Sequence, residues 1–240
     1  MKKKVIAVAL GVGLMGSMAA NAEDAKAVTG LVFGLQVGYA SGFDAPSGQS
    51  VTIPTGGGTS VNGSHSITNG NVNFGGLVGY DFAITEMFSL GVEVDINYTP
   101  DMVKNSISGG GSIPGGSFNI SADNNTSSLN IPLMLTGKMV LPSGMNLFVK
   151  GGIDYQRISS SNSCSASIDF ITVPCDLSSD ESTYSNWNGV LAAGVGYQIQ
   201  SFNVFAQYMY VFGQKISNYE TNKTLAQGII TGGVSYSLPM

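Results

Sequence analysis

Apolar and polar residues alternate with a period of two along eight stretches of this chain. Successive side chains of a strand point to opposite faces, so each stretch predicts a strand with two unlike sides. The cleanest, 88–98, sets Phe88, Leu90, Val92, Val94, Ile96 and Tyr98 against Ser89, Gly91, Glu93, Asp95 and Asn97. Stretch 30–40 sets Leu31, Phe33, Leu35, Val37 and Tyr39 against Val32, Gly34, Gln36 and Gly38. Stretch 71–82 opposes Val72, Phe74, Val78, Tyr80 and Phe82 to Asn71, Asn73, Gly75, Leu77, Gly79 and Asp81. In 127–139, Leu129, Ile131, Leu133, Leu135 and Met139 face away from Asn130, Pro132, Met134, Thr136 and Lys138. In 146–156, Leu147, Val149, Ile153 and Tyr155 face away from Asn146, Phe148, Lys150, Gly152, Asp154 and Gln156. Stretch 187–199 gives Trp187, Leu191, Ala193, Val195, Tyr197 and Ile199, and 202–212 gives Phe202, Val204, Ala206, Tyr208, Tyr210 and Phe212. The second face of 202–212 is mixed, with Phe205, Met209 and Val211 on it. The eighth stretch, 225–240, keeps Val234, Tyr236, Leu238 and Met240 in register to the last residue.

The connections alternate in length. Short ones (AITEM, VLPSG, and little more than Gln200-Ser201) trade places with long ones at 41–70, 99–126, 158–186 and 213–224. The long ones are rich in Gly, Ser, Asn and Thr and are expected to be loops, the glycine runs at 56–58, 109–111 and 115–116 included. Strands of about ten residues with short turns at one end and long loops at the other are the pattern of a transmembrane β-barrel. The expected fold is therefore all-β: an eight-stranded antiparallel up-and-down barrel, with both termini and the short turns in the periplasm.

Alternation alone also fits a soluble lipocalin-like barrel, whose apolar face points inward. Composition decides between them. Only 10% of the residues are charged, whereas a water-facing wall needs many Lys and Glu. Aromatic residues gather near the ends of the stretches, at Tyr39, Tyr80, Phe82, Phe88, Tyr98, Tyr155, Trp187, Tyr197, Phe202, Tyr210, Phe212 and Tyr236. That placement predicts girdles at two membrane interfaces, with the apolar face outward.

The first 22 residues read as a secretory signal peptide: Lys2, Lys3 and Lys4, an apolar run, and Ala20-Asn21-Ala22 as cleavage site. The alternative, a membrane anchor, is disfavoured by a short run holding Gly11, Gly13 and Gly16. Residues 23–28 then form a short periplasmic segment and 29–240 the barrel. Without the leader, 7 Lys and Arg face 15 Asp and Glu, a net charge of −8, which excludes a nucleic-acid partner.

With the leader, the eight stretches, NIPLMLTGK (130–138), GVLAAGVGYQI (189–199) and the terminal alternation, the chain resembles the small outer-membrane β-barrel superfamily of Gram-negative bacteria. That superfamily holds the transmembrane domain of outer membrane protein A, the outer membrane protein X type and the opacity-porin family. The resemblance implies outer-membrane lipids, lipopolysaccharide and the barrel-assembly machinery as partners; no second domain is expected after the barrel, and so no peptidoglycan-binding module like that of full-length outer membrane protein A. It also implies that the last strand, with Val234, Tyr236, Leu238 and Met240, carries the assembly signal. Relatives usually close that strand with an aromatic, so Met240 departs from the pattern while keeping its register.

Candidate chemistry is sparse. Glu93, Asp95, Lys138, Lys150 and Asp154 fall on inward faces of neighbouring strands and are expected to pair across the lumen as a plug. Catalysis is not expected. The sole histidine, His65, lies between Ser64 and Ser66 in the first long connection, and neighbours in sequence do not make a triad. No metal or other cofactor is implied, because the two cysteines are too few for a metal site. In an oxidising compartment, Cys164 and Cys175 are instead expected to form a disulfide within the third long connection. The function expected from all this is membrane integrity with loop-mediated binding or adhesion to a host or extracellular ligand. The alternative is a narrow porin for small solutes or ions, and an outer-membrane enzyme stands third.

Overall fold

The computed structural model of the protein describes residues 25–42, 51–55, 59–113, 116–168, 171–174, 182–213 and 226–240. Its strands are β1 (Gly30–Gly42), β2 (Val51–Thr55), β3 (Thr59–Asn69), β4 (Asn71–Ala83), β5 (Phe88–Ile113) and β6 (Gly116–Val140). They continue as β7 (Met145–Ile168), β8 (Ile171–Pro174), β9 (Ser182–Ile199), β10 (Phe202–Val211) and β11 (Gln227–Pro239). Eight of them close a barrel in the order β1–β4–β5–β6–β7–β9–β10–β11, every neighbour antiparallel. The seam joins the first strand to the last, with Gly30 opposite Pro239 and Gly42 opposite Gln227. Each of the eight barrel strands carries one of the alternating stretches, and the tight turns fall at 84–87, 141–144 and 200–201.

The wall follows the alternation outward. Leu35 is 75% exposed and Leu135 70%, and Val37, Val149, Ile153, Leu191 and Val234 are exposed with them. A water-soluble barrel could not carry so continuous an apolar surface; in lipid it is the required one. Aromatic pairs bound the belt. Tyr80 and Phe82 lie 4.6 Å apart and Phe202 and Tyr236 5.0 Å apart toward the turns. Tyr155 and Trp187, at 5.3 Å, and Tyr210 and Phe212, at 5.0 Å, mark the other rim. Tyr197 does not join them. It is buried, because the 141–144 turn folds back over its ring, with Gln198 donating its amide to the Gly144 carbonyl at 2.8 Å.

The long connections depart most from expectation. Residues 99–113 and 116–126 are not a loop, since β5 and β6 run on as paired strands through Ile113 and Gly116. Gly109, Gly110 and Gly111 sit inside β5, opposite Ile120, Asn119 and Phe118. β5, β6 and β7 reach 26, 25 and 24 residues, about twice the 13 of β1, β4 and β11. The surplus forms a sheet beyond the barrel rim, widened by β3 on β5, β2 on β3 and β8 on β7. A register shift between Thr99 and Val103, with Asp101 at φ 41°, marks where barrel becomes extension. This part lacks the period-two signal because both its faces meet water, so backbone pairing continues without an apolar side to report it.

Candidate functional site

The lumen is layered, and the order can be read along single strands. On β1 the inward residues run Val32, Gln36, Ala40; on β10 they run Phe205, Gln207, Met209. Each strand thus alternates apolar, polar, apolar on its inner face as well.

Nearest the turns, Lys138 forms an ion pair with Asp81, and Asn146 donates to Asn203 at 2.7 Å. Above them Val32, Leu77, Phe148 and Phe205 make an apolar layer, with the two rings edge to face at 6.2 Å. Glycine makes room for these rings. A Cβ on Gly194 would overlap Phe148, and one on Gly233 would overlap Phe205.

The central layer is polar. Lys150 pairs with Glu93, and its ammonium lies 5.0 Å from the Phe148 ring centroid and 5.9 Å from that of Phe205. Beside it the Gln36 amide donates to Asn97 at 2.9 Å and to Asp95 at 3.3 Å, and its oxygen accepts from Gln207 at 2.9 Å and Thr231 at 3.1 Å. A second apolar layer follows, of Ala40, Met134, Val190, Ala192, Met209, Val211 and Ile229. The top layer is amides and one acid: Asn130 donates to Asp154 at 2.8 Å, Asn188 to Gln156 at 3.0 Å, and Gln156 to Gln227 at 3.2 Å. Met102, at the bulge, is buried and accepts from the Gln227 amide at 3.0 Å, closing the stack at the rim.

Of the five charged residues expected to pair, only Lys150 and Glu93 meet each other. Lys138 reaches Asp81, an inward-facing acid that the expected network left out. On β5, Gly91 stands opposite Asp81 and Ser89 opposite Lys138, and a Cβ on Gly91 would overlap the Asp81 carboxylate. Asp154 is held by an asparagine and Asp95 by a glutamine, and among the described residues neither forms an ion pair with a lysine. The apolar layers went unanticipated, although the mixed face of β10 was their trace in the sequence.

The remaining candidates lie at the ends of the molecule. His65 is on β3, opposite Ile107; its side chain is outside the described residues. Cys164 is on β7, opposite Ala122, and Cys175 is outside the described residues. Val234, Tyr236 and Leu238 stand in the seam against Leu35, Phe33 and Leu31, side chains outward. Met240 follows the last strand, its amide donating to the Thr29 carbonyl at 3.2 Å.

A family model described as outer membrane protein beta-barrel domain matches residues 7–237. The chain belongs to that family. This outer-membrane β-barrel protein thus sits in the bacterial outer membrane. No curated protein matches it in sequence. Solved structures similar to this barrel protein include Neisserial surface protein A, at 13% identity and TM-score 0.43 over 87% of this chain and 97% of that one. Another is the attachment invasion locus protein of Yersinia pestis with a heparin analogue, at 9% identity and TM-score 0.44 over 87% and 99%. A third is the outer membrane protein OprG of Pseudomonas aeruginosa, at 14% identity and TM-score 0.42 over 92% and 100%.

Proposed function

We propose that this outer-membrane barrel is a closed scaffold that presents an ordered polar sheet at the cell surface for contact with a host or extracellular ligand. The observation that carries this reading is the continuation of β5, β6 and β7 as one sheet past the rim. At ~3.3 Å per residue, the stretch of β5 from 100 to 113 alone adds roughly 40 Å of strand. Side chains brace it from strand to strand: Ser121 and Ser165 hydroxyls lie 2.8 Å apart, and Ser160 donates to Asn124 at 3.3 Å. A sheet held this way loses less entropy on binding than a flexible loop would.

The same reading includes export by a cleaved signal peptide, delivery by the barrel-assembly machinery, embedding among outer-membrane lipids and lipopolysaccharide, and no enzymatic role. A Cys164–Cys175 disulfide belongs to it as well. Ser165 pairs with Pro174, and these two residues adjoin Cys164 and Cys175 in the sequence. Solute passage is the weaker reading, because two apolar layers lie across the lumen.

Trimming the β5–β6 ribbon between 103 and 126 to a tight turn tests the proposal in bacteria that display the protein. Adherence to host cells or matrix should fall while the barrel remains folded. Undiminished adherence by a folded, trimmed barrel would contradict it.

A further inference from the structure

The outer wall carries a groove where belt meets extension. Register aligns Tyr98, Leu129 and Arg157 side by side on β5, β6 and β7. Immediately toward the belt, Tyr155 packs at a tilt against Trp187 as part of the rim girdle. Immediately beyond, Ser127 and Ser159 face each other across the same two strands. With Ser160 and Ser161, the side chains of Tyr98, Leu129, Arg157, Ser127 and Ser159 line an open groove of about 360 Å³. Tyr98 and Leu129 give it an apolar wall level with the guanidinium, and the serines give it a hydroxylic wall beyond.

That guanidinium belongs to the only arginine in the sequence. It is exposed, and among the described residues its side chain makes no ion pair or hydrogen bond; the three ion pairs there use Lys26, Lys138 and Lys150. The girdle fixes its height at the headgroup level, where the anionic groups are lipid phosphates. A guanidinium fork matches phosphate oxygens bidentately.

We propose that the Arg157 groove binds the phosphate of an outer-leaflet lipid. The guanidinium and the hydroxyls of Ser127 and Ser159 take the phosphate, while Tyr98 and Leu129 lie against the lipid's apolar part. A free anion would use the guanidinium but leave Tyr98 and Leu129 without purpose, which is why the ligand is a lipid. This inference rests on the end opposite the termini facing the outer leaflet.

Native mass spectrometry of the refolded full barrel tests the site without depending on membrane orientation or on what the extension contacts. The probes are diphosphoryl lipid A and its fully dephosphorylated form. The protein should retain the phosphorylated lipid at least tenfold more tightly. Arg157→Gln should erase that preference, Arg157→Lys should keep part of it, and Lys104→Gln, outside the groove, should keep all of it. Millimolar inorganic phosphate should not displace the lipid. Equal retention of the two lipids, an unaltered preference in Arg157→Gln, its loss in Lys104→Gln, or displacement by phosphate would each overturn the proposal. Orientation is read separately, by labelling an engineered surface cysteine at Ser161 on intact cells.

Discussion

Lys150 on β7 and Glu93 on β5 meet inside the lumen, over β6, as an ion pair whose side chains are 5% and 12% exposed. The Lys150 ammonium also rests on the Phe148 and Phe205 rings, so the central charge and the lower apolar layer are coupled. Desolvating two charges is costly, and their attraction offsets that only while both are present. Glu93→Gln should therefore lower the free energy of unfolding in urea by about 3–5 kcal/mol, because it strands a buried ammonium. The double variant Glu93→Gln, Lys150→Met should be more stable than Glu93→Gln alone. A double variant no more stable than Glu93→Gln would mean the pair is not coupled.

The seam tests the last strand. Met240 keeps the outward register of Val234, Tyr236 and Leu238, and it is 72% exposed. Met240→Phe should refold into bilayers at least as well as the native chain. Met240→Asp puts a charge at the membrane interface and should reduce the yield of folded barrel, read as the fraction that stays compact in unheated detergent gels. An unchanged yield would remove the role of register at this position.

The β7–β8 hairpin carries a redox prediction. Thiol titration of denatured, unreduced protein should find no free cysteine. Reduction should destabilise the extension by about 3 kcal/mol, on the loop-entropy estimate for so short a loop. Two titratable thiols would exclude the Cys164–Cys175 bridge.

These expectations separate what the sequence discloses from what it hides. The wall was legible because lipid demands one apolar side from every strand, as Phe88 to Tyr98 shows residue by residue. The lumen was not, because its face mixes both kinds of residue. Met134, Phe148, Phe205 and Met209 point inward among amides, and only the closed barrel shows that they meet in layers. Asp81 was visible as an inward acid, but its link to Lys138 depends on the register of three strands. The extension left no periodic signal at all. Ser106 opposite Asp123, and Ser121 opposite Ser165, are strand residues with water on both sides.

The proposed closure of the lumen by its two apolar layers is tested most directly by single-channel conductance in planar bilayers. The native barrel should give no steady conductance. Phe148→Ala together with Phe205→Ala, which removes both rings from the lower layer, should raise the frequency of brief openings while leaving the upper layer in place. A steady, ohmic conductance from the native protein would contradict the account.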